Sequence, residues 1–401
     1  MRPCLILLAI LLPAGLARAA GAPAPDPRQG DGGVSAFYTW TDDIPKSPGH
    51  MLRTEPLDAD HGLAAAGRQM RILYNSTDGI DGTTPVAVSG AFFLPPGTPP
   101  AGGWPLVAWA HGTTGIADVC APSWQRRTER DARYLNTWLR QGYAIVATDY
   151  QGLGTPGPHP SLAVRPEAYS VLDSVRAVQT AFPEVANQVV LVGQSQGAGA
   201  AFATAGLAAR YAPEVAVRGT VATGVPFTNE RPRPPEPSNT PDRVVAYMLY
   251  IGVMMQQRDP GLTADSLFTP RAQPLFEAAR TTCVGPLFRK VEDAGLNRGN
   301  ALAPGFGTAF TAAVVDLQYA TLRLPQPLFV GTGAQDHDVA PSRQLALVRN
   351  ACAVGTVVEA HLYAGLDHSA TVNASLKDSV PFVRKVLAGE RIAPVCEPVA
   401  E

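Results

Sequence analysis

The chain has 401 residues, with 32 Lys+Arg against 34 Asp+Glu and a formal net charge of −2. That balance excludes the basic excess expected of a nucleic-acid binder. Its 38 glycines and 38 prolines fall short of a low-complexity composition, and 46% hydrophobic residues suit a large buried core.

The N-terminus carries Arg2, an apolar run Leu5–Leu12, helix-breaking Pro13 and Gly15, then Ala17-Arg18-Ala19. This pattern predicts a signal peptide over residues 1–19, cleaved after Ala19 or Ala20. The run is too short to span a bilayer, and no later stretch reaches 18 apolar residues, so no stable membrane anchor is expected. The expected location is secreted or periplasmic. Beyond Cys4, the even set Cys120, Cys283, Cys352 and Cys396 fits structural disulfides in an oxidising compartment. There is no Cys-x-x-Cys and no Cys–His cluster, so no metal site is expected.

After an N-terminal leader over residues 20–53, Pro/Gly-rich across Gly21–Gly33, Arg71–Tyr74 and Val86–Leu94 read as strands, and Leu106–Ala110 as a buried one. A helix is predicted over Glu129–Gln141, a strand over Tyr143–Thr148, and a helix over Pro166–Phe182. Val189–Val192 is the next strand, followed by a small-residue helix from about Ser195. Strands at Val217–Thr223, Leu328–Thr332 and Val357–Leu362 complete the series. Buried runs alternating with helices predict an α/β fold with a mostly parallel central sheet, helices on both faces. About a hundred residues separate Thr223 from Leu328, far more than a crossover needs. The division expected is a core over 54–227, a mainly helical cap or lid insertion over 228–313, and the rest of the core over 314–401.

Chemistry concentrates in Gly193-Gln194-Ser195-Gln196-Gly197, directly behind an apolar strand and ahead of Ala198-Gly199-Ala200-Ala201. A nucleophilic serine must stand on a sharp strand-to-helix turn, and small flanking residues leave room for that backbone. Serine also needs a base oriented by a third group. In chain order Ser, acid, His, the base is His368 after Val358–Tyr363, and the acid is Asp336 after Leu328–Thr332, with Asp338 as the alternative. An acyl-transfer oxyanion needs fixed donors. Gln196 N–H supplies one, and His111-Gly112-Thr113-Thr114-Gly115 supplies another through Thr113 or Thr114. His111 is expected to tie that loop down. No cofactor is required, and the partner is a small-molecule or lipid ester.

These motifs, with Cys120-Ala121-Pro122-Ser123, Asp149-Tyr150-Gln151-Gly152-Leu153-Gly154 and Gly365-x-x-His368, resemble the secretory lipase family, the yeast lipase A type and its bacterial relatives. The likeness runs from about Thr54 to Pro394. It implies an α/β-hydrolase core with a helical cap and hydrolysis of carboxylic esters, often triacylglycerols. By the same likeness Ser195, Asp336 and His368 take the triad positions and Thr114 aligns with the oxyanion-loop donor, where the yeast type has an acidic residue. Gln196 replaces a frequent glycine. The resemblance also implies Cys120–Cys283 and Cys352–Cys396 pairings.

The activity expected is that of a serine hydrolase working through an acyl-enzyme. The alternatives are a serine peptidase or acyltransferase on the same fold, or an inactive hydrolase-fold binding protein. Within the insertion, Tyr247–Met255 is apolar all round, which fits a helix buried in the insertion's own core or, as expected for Met254 and Met255, one that lines an acyl pocket. The Pro-rich Arg231–Pro241 is expected to act as a semi-rigid strap beside it.

Overall fold

A computed structural model describes residues 23–229 and 240–401. The predicted signal peptide and all but the end of the Arg231–Pro241 strap lie outside the described residues. Nine strands form one sheet: β1 (Met51–Pro56), β2 (Arg68–Thr77), β3 (Pro85–Leu94), β4 (Trp104–Ala110), β5 (Ala144–Thr148), β6 (Val185–Gln194), β7 (Val217–Thr223), β8 (Leu328–Gly333) and β9 (Val358–Tyr363). Their order is β1-β2-β3-β5-β4-β6-β7-β8-β9. The β1/β2, β2/β3 and β3/β5 pairs are antiparallel, and every pair from β5/β4 to β8/β9 is parallel.

Helices cover both faces, as buried apolar runs require. On one side α2 (Val164–Ala181) and α3 (Gln196–Tyr211), following α1 (Glu129–Arg140) in the chain, pack Leu172 and Phe202 with Ile72 and Phe92 of the sheet. On the other side α1 sets Trp138 beside Trp109 and Phe329 of the sheet. Between β7 and β8 the chain forms α4 (Val244–Arg258), α5 (Ala264–Leu267), α6 (Gln273–Ala279), α7 (Val284–Asp293), α8 (Arg298–Ala301) and α9 (Phe306–Ala313). These have their own core of Leu249, Tyr250, Phe268, Phe276 and Leu287, joined by Ile116 and Leu162 from the body. After β8 come α10 (Pro341–Ala353), α11 (Ala370–Ala374) and α12 (Leu376–Leu387), and Phe382 of α12 joins the α1 side of the core.

Three elements differ from the sequence reading. β2 runs over Arg68–Thr77, three residues beyond the expected Arg71–Tyr74 at each end. β1 was not expected, because its half-exposed MLRTEP sequence has no apolar run and gains strand geometry only by pairing at the sheet edge. β6 starts at Val185, earlier than the apolar Val189–Val192, with exposed Asn187 and Gln188 inside it. Disulfides join Cys120 to Cys283 and Cys352 to Cys396. Among the described residues, no helix is long and apolar enough to cross a membrane.

Candidate active site

β6 runs straight into α3 with a single residue, Ser195, between them. Its φ of 57° and ψ of −124° lie in a region that non-glycine residues rarely occupy. The turn is tight enough that a Cβ on Gly193 would strike the Gly197 carbonyl, and one on Gly197 would strike that of Ala110. The strain is held by the Ser195 N–H, which donates to Thr223 O at 2.8 Å. Gln196 is the first residue of α3, so its N–H has no partner within the helix and sits at the positive end of the helix dipole.

Asp336 and His368 arrive on the loops after β8 and β9, at the same end of the sheet as Ser195. His368 Nδ1 donates to Asp336 Oδ2 at 2.6 Å. Relative exposure is 9% for Ser195, 4% for Asp336 and 7% for His368, so all three are buried, with Ser195 and His368 lining a cavity and Asp336 behind them. Asp336 Oδ1 accepts from the N–H groups of Asp338 (2.9 Å) and Val339 (2.8 Å), and Oδ2 also accepts from Gln344 Nε2 at 2.8 Å. These donors fix the carboxylate before the histidine meets it. Asp338, the alternative acid, turns away: its carboxylate accepts from Arg243 at the start of α4 and from Tyr247 Oη at 3.2 Å. It clasps the helical insertion to the acid loop. Asp336, Asp338 and His368 bring ligand atoms within 4.8 Å of one another, but those atoms are already engaged in the bonds just given.

His368 Nε2 faces Gln194, whose side-chain nitrogen lies 3.0 Å away. Arg130 Nη2 donates to Gln194 Oε1 at 3.2 Å, which orients the amide so that its N–H points at the imidazole. With Nδ1 donating to Asp336, Nε2 keeps its lone pair, the state a base needs. Room for the ring comes from Gly224 (φ 65°), where a Cβ would stand 2.6 Å from His368 Cε1. Neither Gln194 nor Gly224 was singled out from the sequence. The elbow position of Gln194 was a usable signal; Gly224, beyond the end of β7, had none.

The loop after β4 carries Thr113 and Thr114 to the cavity that holds Ser195 and His368. His111 anchors it, with Nδ1 2.7 Å from Gly112 O and Nε2 3.3 Å from Asp149 O, and burial lowers its pKa and so favours the neutral ring. Tyr150 Oη donates to His111 O at 2.9 Å. Thr114 O accepts from Val284 N at 2.8 Å, and the neighbouring Cys120–Cys283 disulfide reinforces that link between loop and α7. The Thr114 hydroxyl oxygen is buried without a hydrogen-bond partner among the described residues.

The cavity measures about 570 Å³, and Tyr247, Val284 and Phe288 of the insertion form part of its wall, with Arg127, Arg130 and Arg243 around them. A second cavity of the same volume lies among α2, α3 and the end of the insertion, and holds none of the residues of this site. Met254 and Met255, expected to line an acyl pocket, are absent from the cavity beside Ser195. Each is 1% exposed and packed in the insertion's own core. A helix apolar all round is surrounded on every side, and here α6, α7 and α9 do the surrounding.

Residues 122–231 match the family model described as secretory lipase. The resemblance drawn from the motifs holds. The matched stretch contains the Ser195 elbow, whereas Asp336 and His368 lie beyond it. Lipase 7 of Candida albicans is 31% identical over 121 residues, a span of 27% of this chain and 27% of that protein, so the match covers about a quarter of either. Lipase A of Candida antarctica in its closed state superposes with a TM-score of 0.72 at 19% identity, covering 92% of this chain and 89% of that one. The rice cell wall degrading esterase LipA of Xanthomonas oryzae gives a TM-score of 0.64 at 20% identity, over 86% of this chain and 100% of that one. The fold is that of the α/β-hydrolases.

Proposed function

We propose that this protein is a secreted or periplasmic serine hydrolase that cleaves carboxylic esters through an acyl-enzyme, with the insertion over about 228–313 acting as its cap. The observation that carries the reading is the 2.6 Å bond between His368 Nδ1 and Asp336 Oδ2 beside a serine on a strained strand-to-helix turn. Secretion is supported by the two disulfides and by the N-terminal sequence pattern.

In this mechanism an ester carbonyl enters the cavity and displaces the Gln194 amide from His368 Nε2. That nitrogen takes the Ser195 proton as Oγ attacks, and Asp336 stabilises the imidazolium that forms. The Gln196 N–H, with a donor from Thr113 or Thr114, meets the oxyanion. His368 returns the proton to the leaving alcohol, and water releases the acid by the same steps in reverse.

The cavity wall sets Trp109, Pro122, Tyr247, Val284, Pro286 and Phe288 beside four arginines (Arg126, Arg127, Arg130 and Arg243) and the carboxylates Asp131 and Asp338. A cavity of about 570 Å³ should turn over esters of short acids faster than long-chain ones, and a chain-length series of p-nitrophenyl esters checks this. The reaction class is tested by fluorophosphonate labelling, with the labelled peptide identified by mass spectrometry. Labelling at Ser195, lost in Ser195→Ala together with turnover by several orders of magnitude, is the expected result. An unlabelled protein that turns over no ester would refute the reading, and faster cleavage of peptide amides than of esters would make it a peptidase.

A further inference from the structure

Glu167 stands in the first turn of α2 and is 2% exposed. Carboxylates are almost never so deeply buried unless paired with a cation. Here the groups bearing on the carboxyl are two uncharged donors. Gln196 Nε2 lies 2.7 Å from Oε1, and the main-chain N–H of Leu162 faces the same group. The titratable groups around it are phenols, Tyr150 after β5 and Tyr319 on the segment leading back to β8, and burial holds both of them neutral.

Each partner leads to a different part of the site. Gln196 follows the nucleophile, and its own N–H is the oxyanion donor of the mechanism above. Leu162 has a φ of 65°, a strained value for leucine, and its side chain packs against the core of the insertion. The carboxyl thus joins the cap, a strained loop and the start of α3.

We infer that Glu167 is a positioning residue for the oxyanion hole, holding the Gln196 side chain so that the main-chain N–H of Gln196 is aimed at the developing oxyanion. This rests on reading Ser195 as an acyl-transfer nucleophile. Glu167 serves in its neutral form. Burial, the dominant influence, raises its pKa to about 8, so the carboxyl is mostly protonated at neutral pH. Once ionised, it places a negative charge one side chain behind the group that must stabilise another, in surroundings that screen poorly. The rate then falls as pH rises through the titration of Glu167, and the loss is in kcat, because a ground-state ester carries no charge to repel.

The test is the pH dependence of kcat and KM on a soluble p-nitrophenyl ester from pH 6 to 10, with aliquots returned to pH 7 to establish reversibility. Wild type should lose kcat above about pH 8, several-fold by pH 10, with KM nearly constant. Glu167→Gln keeps an acceptor oxygen for Gln196 and cannot ionise, so that alkaline loss should vanish. Glu167→Ala should lower kcat roughly 10–100-fold at pH 7, short of deleting an oxyanion donor outright, and Glu167→Gln should recover most of that loss. If the alanine variant fails to fold, the comparison of Glu167→Gln with wild type still decides. An unchanged alkaline limb in Glu167→Gln, a wild-type kcat flat to pH 10, or an effect confined to KM each overturns the inference. Fluorophosphonate labelling of the same samples separates the two readings. Label on Ser195 with an unchanged limb overturns only the role of Glu167, whereas no label on Ser195 removes the esterase reading beneath it.

Discussion

Replacing Asp336 by asparagine removes one charge and no volume, and the hydrogen bonds around it determine the outcome. Oδ1 accepts from two main-chain N–H groups, of Asp338 and Val339. The amide oxygen of the introduced asparagine must stay in that position, because an NH₂ group there would face two donors that cannot move. Its NH₂ group is then forced into the Oδ2 position, against His368 Nδ1 at 2.6 Å and Gln344 Nε2 at 2.8 Å. The imidazole avoids the donor–donor contact by moving its proton to Nε2, and the lone pair that takes the serine proton disappears. Loss of the productive tautomer in this way costs roughly 10³–10⁴ in kcat, or about 4–5.5 kcal/mol of barrier. Asp338→Asn instead weakens a partly exposed pair with Arg243, an interaction of about 1 kcal/mol or less. Its kcat should stay within roughly tenfold of wild type, since it leaves the His368 contact alone. Initial rates on p-nitrophenyl butyrate and rate constants for fluorophosphonate inactivation measure both variants, with circular dichroism to establish folding. If Asp336→Asn stays within tenfold of wild type while Asp338→Asn loses more, the wrong carboxylate has been placed beside the base.

Gly224→Ala, with a Cβ 2.6 Å from His368 Cε1 on a backbone of positive φ, should displace the imidazole and lower kcat at least tenfold; unchanged kinetics would remove the steric argument. Met254→Ala should lower stability by about 2–5 kcal/mol as a core truncation and leave the order of preference among acyl chain lengths intact. A shifted chain-length optimum at unchanged melting temperature would return Met254 to the substrate pocket. Opening the Cys120–Cys283 bridge (sequence separation 163) should cost about 5 kcal/mol by loop entropy, and opening Cys352–Cys396 (separation 44) about 4 kcal/mol. Urea unfolding of the two paired Cys→Ser variants checks this, and a larger loss from the shorter loop would show that chain entropy is not what dominates. Only the first should also lower kcat, because it ties the Thr113–Thr114 loop, the source of the second proposed oxyanion donor, to α7.

The strand-to-helix turn at Ser195, the proposed nucleophile, and the sheet that carries it were legible in the sequence for local reasons. A strand-to-helix turn with a side chain at positive φ demands glycine on either side, and Gly193 and Gly197 record that demand within five residues. Buried parallel strands leave unbroken apolar runs such as Val189–Val192, and an insertion shows itself as excess length between two of them. The choice between Asp336 and Asp338 left no such mark. Both follow β8, and what divides them is that Gln344 and two main-chain N–H groups aim one at His368 while Arg243, 95 residues upstream, draws the other away. The sequence left Met254 and Met255 open between an acyl pocket and the insertion's own core, because a helix apolar on every side looks the same whether a ligand or other helices cover it; only the packing of α6, α7 and α9 around α4 decides. Glu167 and Gly224 are common residue types at unremarkable spacings, and Gln194 is marked only by its place in the elbow; the contacts of Glu167 and Gln194 span 29 and 174 residues in sequence. Periodicity and steric demand act over a few residues and are written along the chain. The pairing of donors, acceptors and charges depends on which surfaces the folded sheet brings together, and that only the tertiary structure decides.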